Sequence, residues 1–216
     1  MRVDHVGFAA GPEGLAETAR SLAARLGVRV AEGGPHPRFG TRNVVLPLSE
    51  GTYVEVVEVL DHPVADKALF GRAVRERSQA GGGWFTWSVL VDDLESYRDR
   101  LGEQIEEGVR RRPDGVELRW RQIGAPALNT EPQLPLLIEW DGPATQHPSA
   151  LSLAGGTRLA GLTIAGQHSR VRDWLGLPPE FCSDRVEFTW LDVVGARRAT
   201  GLRSVTFETT RGTVEI

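Results

Sequence analysis

Cysteine and lysine are almost missing from this chain. Its 216 residues contain one cysteine, Cys182, and one lysine, Lys67. A single thiol excludes a disulfide within the chain and a zinc site built on paired cysteines. It fits a reducing compartment, and the expected localisation is cytoplasmic. The other basic residues are arginines, which we read as codon usage without functional content. Long apolar runs are missing too, since none approaches the roughly 20 residues that span a bilayer. The N-terminus, Met1-Arg2-Val3-Asp4-His5, enters a strand-like pattern directly, so no secretory leader is expected. Nor is there an excess of positive charge. With 25 Lys+Arg against 29 Asp+Glu, the balance is −4. That supplies no general pull on nucleic acid or anionic lipid, and neither is expected as a partner. No GxSxG, Walker loop, HExxH or helix-opening GxGxxG occurs. Gly81-Gly82-Gly83 precedes a strand and is no phosphate loop.

What is present is a foldable core and a repeated order of elements. The chain is 40% hydrophobic and 25% charged, as globular proteins are. Val3–Ala10 reads as a strand. From Pro12 to Leu26, apolar residues at three- and four-residue steps (Leu15, Ala19, Leu22, Ala23, Leu26) make one helical face, and Gly27 ends it. Val28–Ala31, Arg42–Leu48 and Thr52–Leu60 follow as strands. The order is β-α-β-β-β over residues 1–60. A linker with one short helix (Val64–Ala80) spans 61–83. The order recurs over 84–142, with Asp92 or Asp93 capping the helix. Residues 143–156 form a second linker. Residues 157–216 look like a degenerate third copy. The expected fold is α+β, with repeated βαβββ modules forming a cupped mixed sheet and helices on its outer face. The last strands of the three copies align Glu55, Glu139 and Glu215, and the first strands align His5, Thr86 and Gly161.

Strand alternation shows where the chemistry lies. In the first strand His5 points away from Val6 and Phe8. In Tyr53-Val54-Glu55-Val56, Glu55 points away from the valines. In Leu136-Leu137-Ile138-Glu139-Trp140, Glu139 sits among apolar neighbours, where burial is costly unless it is paired, protonated or metal-bound. His5, Glu55 and Glu139 are therefore expected to converge on the open face of the sheet. One histidine and two carboxylates suit Zn, Ni, Mn or Fe as a divalent ion with open positions. His36, Thr41 and Asn43 occupy a turn-rich stretch that can line the cup mouth, and Trp87 beside Thr86 can wall the pocket. Arg119 and Arg121 share a strand face with Glu117, and Arg121 can clamp a carboxylate. Cys182 reads as inert.

Three stretches carry a family resemblance. They are Val3-Asp4-His5-Val6-Gly7-Phe8-Ala9-Ala10, Gly33–Asn43 running on into Gly51-Thr52-Tyr53-Val54-Glu55, and Leu134–Gly142 with His147-Pro148 just after. With them, the chain resembles the glyoxalase-like domain proteins of the vicinal oxygen chelate superfamily, closely over about residues 1–150. The resemblance implies paired βαβββ modules with a metal in the cup, held from the first and last strands of each module. Those positions are His5, Glu55, Thr86 and Glu139. Thr86 departs from the pattern, which leaves three ligands. On this reading His5, Glu55 and Glu139 hold the metal, and it stabilises an enediolate-type anion of a small oxygenated substrate. Glu139 or Glu55 moves the proton, and His36, Asn43, Thr86, Trp87 and Arg121 contact substrate. Lyase, isomerase, dioxygenase and hydrolytic chemistry all remain open. The alternative is a metal-free binding or sequestering protein on the same fold. An odd third module implies that residues 157–216 either cap the cup within the chain or pair with a second copy, and a homodimer joined through them is expected.

Overall fold

The computed structural model describes residues 1–151, 156–177, 185–193 and 199–216. Cys182 lies outside them. The first module is β1 (Arg2–Ala9), α1 (Leu15–Leu26), β2 (Ala31–His36), β3 (Thr41–Pro47) and β4 (Tyr53–Val59). Two helices follow, α2 (Pro63–Lys67) and α3 (Leu69–Gln79). The second module is β5 (Gly83–Leu90), α4 (Leu94–Leu101), β6 (Glu106–Arg111), β7 (Glu117–Ile123), α5 (Ala125–Thr130) and β8 (Leu136–Asp141). Two 3₁₀ turns, Ala144–Gln146 and Pro148–Leu151, lead out of it.

These strands form one eight-stranded sheet in the order β2-β3-β4-β1-β5-β8-β7-β6. Within each module the first strand runs parallel to the last, and β1 and β5 join the modules in antiparallel. The sheet curls until the outer strands meet. Any Cβ on Gly34 in β2 would collide with the Arg111 carbonyl in β6, and Arg38 donates to the Glu107 carbonyl across the same seam. The result is a nearly closed, cupped sheet.

Helix α1 forms for the reason its sequence suggests. Leu15, Ala19, Leu22, Ala23 and Leu26 are its buried face, and Gly27 ends it in the left-handed conformation at φ 67. Each fully buried leucine there contributes roughly 1.5–3 kcal/mol. Helices α1 and α4 cover the outer face. The single helix expected from Val64 to Ala80 is broken at Ala68, whose extended backbone (ψ 131) caps α3. Helix α3 then places Phe70 and Val74 against Phe39, Phe85, Leu128, Leu136 and Ile138. The cup interior is therefore largely filled.

The remaining strands form a second sheet. It contains β9 (Arg158–Ala165), β10 (Glu187–Leu191), β11 (Gly201–Thr209) and β12 (Gly212–Glu215), with α6 (His168–Leu175) after β9. The order is β10-β9-β11-β12. Strand β10 runs parallel to β9, and β11 pairs with β9 in antiparallel. Glu215 thus lies on a hairpin return strand paired with Thr206, with no first strand beside it. Sequence alignment had set it level with Glu55. The second sheet packs on the outer face of β1 and β5, where Val3, Val6, Trp84, Trp87 and Val89 meet Leu159, Leu162, Ile164, Val205 and Phe207 in one core.

Candidate functional site

His5 and Glu55 face the cup interior. They border a cavity of about 20 Å³ with His36, Tyr53, Arg110 and Trp140. Strand register brings them together, because Gly7 pairs with Glu55 and His5 with Tyr53. His5 Nε2 lies 3.9 Å from Glu55 Oε2, and His36 Nε2 lies 3.8 Å from Glu55 Oε1. Asn43 donates to Glu55 Oε1 at 2.6 Å, and Arg110 Nη1 donates to Asn43 Oδ1 at 2.9 Å. The Asn43 amide therefore bridges a buried carboxylate and a buried guanidinium. Any Cβ on Gly33 would collide with both Asn43 and Arg110.

Behind His5 stands Asp4, completely buried. It takes His5 Nδ1 at 2.9 Å, His147 Nε2 at 3.0 Å and the Trp140 indole N–H at 3.2 Å. Burial by itself would raise the Asp4 pKa, but the hydrogen bonds from His147 and His5 outweigh it. They hold the carboxyl well below the usual carboxylate range. The tautomers follow from the partners. His147 Nδ1 accepts the Ser149 backbone N–H, so Nε2 carries the proton given to Asp4. His5 correspondingly gives Nδ1–H to Asp4, and its Nε2 sits 3.0 Å from Ser88 Oγ. His36 is only 2% exposed. Burial lowers its pKa to about 4, against an opposing pull from Glu55, and Arg110 adds to the lowering. It is neutral at pH 7. Its Nδ1 meets Thr41 Oγ1 at 3.1 Å, and its Nε2 has no partner.

Glu139 does not join this group. It points to the outer face, where Oε2 accepts the Leu94 N–H at the start of α4 and Oε1 pairs with Arg121 at 2.6 Å. Leu136, Ile138 and Trp140 take the inner face instead. The expected convergence of three ligands is therefore corrected to two. Glu58 in module one makes the same contacts as Glu139. It accepts the Leu15 N–H at the start of α1 and pairs with Arg42. The true repeat sets Glu58 level with Glu139, an offset of 139 − 58 = 81. Applied to Glu55, that offset gives 55 + 81 = 136, which is Leu136. Glu55 and Glu58 are three residues apart and so face opposite sides of β4. The sequence alignment had matched Glu139 to the wrong one of them.

Of the other predicted residues, His36 and Asn43 are inside the cup. Thr86 is buried beside Gly7 and donates to the Trp87 carbonyl. Trp87 lies on the outer face, where its indole donates to the Gln133 carbonyl and its ring packs on Phe188. Arg121 is also outside, shared between Glu95 and Glu139. Asp4, Ser88, Arg110 and His147 were missed as site residues. Simple alternation hides Asp4, because β1 carries a register irregularity between Val3 and His5 that turns it inward.

A family model for the glyoxalase-like domain matches residues 3–177. The chain belongs to that family. A hypothetical protein from Staphylococcus aureus has the same fold, with TM-score 0.73 at 14% identity over 97% of this chain and 92% of that one. Methylmalonyl-CoA epimerase from Mycobacterium tuberculosis is a weaker match. It has TM-score 0.46 at 18% identity, over 66% of this chain and 89% of that one. No curated protein sequence matches the chain. With the repeat corrected, the positions that the resemblance implied for a metal, on the first and last strands of each module, are His5, Glu55, Thr86 and Leu136. A leucine has no donor atom, and the Thr86 hydroxyl is turned to a carbonyl. Among the described residues no three His, Cys, Asp or Glu side chains are grouped to hold an ion. The residues present do not fit the expected divalent metal. No helix among the described residues is long and apolar enough to cross a membrane.

Proposed function

We propose that this glyoxalase-like domain protein binds a small oxygenated molecule in its cup through hydrogen bonds and without a divalent metal. The observation that carries this reading is the identity of the four strand positions, where Leu136 and Thr86 replace donors on the second module. Glu55 is the acceptor at the base of the site, held by Asn43, and His5 is held in one tautomer by Asp4. In such a site a proton taken from the bound molecule goes to Glu55, whereas His5 Nε2 is engaged by Ser88 Oγ at 3.0 Å. Elemental analysis of protein purified without a nickel column tests this, and the expected metal content is far below one ion per chain.

A divalent-metal enzyme, with Zn, Ni, Mn or Fe, is the second reading, and one observation favours it. His5 gives its far nitrogen to a carboxylate, which is how ligating imidazoles are commonly oriented. One tightly held ion per chain that is lost in His5→Ala would establish it in place of the first.

A further inference from the structure

The cup offers its ligand a specific pair of unused groups. His36 lines the cavity, and its Nε2 is buried without a hydrogen-bond partner. Glu55 gives Oε1 to Asn43, while Oε2 stands 3.9 Å from His5 Nε2, too far for a direct hydrogen bond. The cavity they border is about 20 Å³, which accepts one water-sized group. A carbonyl oxygen cannot give Glu55 a proton, and an ammonium cannot receive one from His36. A hydroxyl does both, donating to Glu55 Oε2 and accepting from His36 Nε2–H in the tautomer whose Nδ1 accepts from Thr41 Oγ1.

Charge narrows the ligand further. Asp4 and Glu55 are carboxylates, and Arg110 is the buried cation beside them, already tied to Glu55 through Asn43. Arg2 Nη2 lies 3.9 Å from Asp4 Oδ1, so two carboxylates here face two guanidiniums. A ligand carboxylate would add an uncompensated buried charge, which is costly. Trp140 also walls an outer pocket of about 580 Å³, whose charged residues are Arg2, Asp92, Glu139 and Asp141. Of these, Arg2 faces Asp4 and Glu139 is paired with Arg121.

Resting on the hydrogen-bonding cup proposed above, we infer that the site takes the hydroxyl of a neutral polyhydroxy compound. The hydroxyl sits between Glu55 and His36, the body of the molecule lies toward the outer pocket, and small carboxylates are rejected. The test is NMR of the histidine rings in ¹⁵N-labelled protein, titrated with ethylene glycol and glycerol as neutral probes and with glycolate and acetate as anionic ones. The expected result is a saturable shift of the His36 ring signals with the neutral probes, and at least tenfold weaker binding of the anions. His36→Phe removes the signal itself, so Glu55→Gln, which keeps the shape of the site, is the companion variant and should weaken glycerol binding at least tenfold. Anions that bind as well as or better than the diols overturn the inference and leave the hydrogen-bonding cup standing. Equal diol binding by Glu55→Gln also overturns it. If neither class moves the His36 signals, both the inference and the proposed cup fall.

Discussion

Two residues in the cup are buried, and the surroundings of each fix its protonation state. Asp4 is an anion surrounded by three ring N–H donors. His36 is a neutral imidazole, its pKa lowered to about 4 by burial. In the unfolded chain a histidine titrates near 6.5. Between those values the unfolded state binds the extra proton, so stability falls as pH is lowered. The His36 contribution is therefore complete above about pH 6.5 and is lost as pH falls toward 4. Its size is on the order of 3 kcal/mol. Urea unfolding at pH 7 and pH 5 should show the drop in wild type and a clearly smaller one in His36→Gln. Equal drops would mean that His36 is protonated in the fold. The drop continues below pH 4 as Asp4 begins to gain its proton, because its folded pKa lies below the unfolded one.

At the scale of elements, Glu58 and Glu139 are one device used twice. Each accepts the first N–H of a helix and pairs with an arginine on the neighbouring strand. A carboxylate at a helix start is favoured by the unpaired N–H groups and the dipole there. Glu58→Ala and Glu139→Ala should each cost about 1 kcal/mol in chemical denaturation. They share no partner, so the double variant should lose about the sum. Glu139→Ala should leave binding of ethylene glycol at His36 and Glu55 intact, because Glu139 does not line that cavity, and a loss of binding there would return Glu139 to the site. These elements also mark how far the sequence could be read. Helix α1 was legible because its five apolar residues keep a helical period and glycine ends it. The βαβββ order and the inward His5 and Glu55 were legible from alternation. The pairing of Glu55 with Glu139 went wrong because β4 carries two glutamates on opposite faces, and only contacts with a helix tell them apart. Helix α5 was missed because Ala125–Thr130 is six residues long, too short to show a period. The break at Ala68 depends on backbone angles that no local pattern announces.

At the scale of the whole molecule, the two modules complete the cup within one chain, so no partner is needed to supply half of it. The second sheet has another task, since it covers the outer face of the β1–β5 joint. Strand β12 is tied down there. Trp84 donates to the Ile216 carbonyl, and Arg25 donates to the Glu215 carbonyl. Light scattering at micromolar concentration reads directly whether the homodimer expected from the odd third segment forms. The covering sheet shares one continuous core with the cup, and Phe207 and Trp87 are both fully buried in it. Units that share a core unfold together. Phe207→Ala, on the covering sheet, should destabilise the protein by about 3–5 kcal/mol. The loss should appear as one earlier transition, with tryptophan fluorescence and far-UV circular dichroism coinciding. Two separated transitions, with the first carrying only part of the strand signal, would show that residues 157–216 fold and unfold as an independent layer.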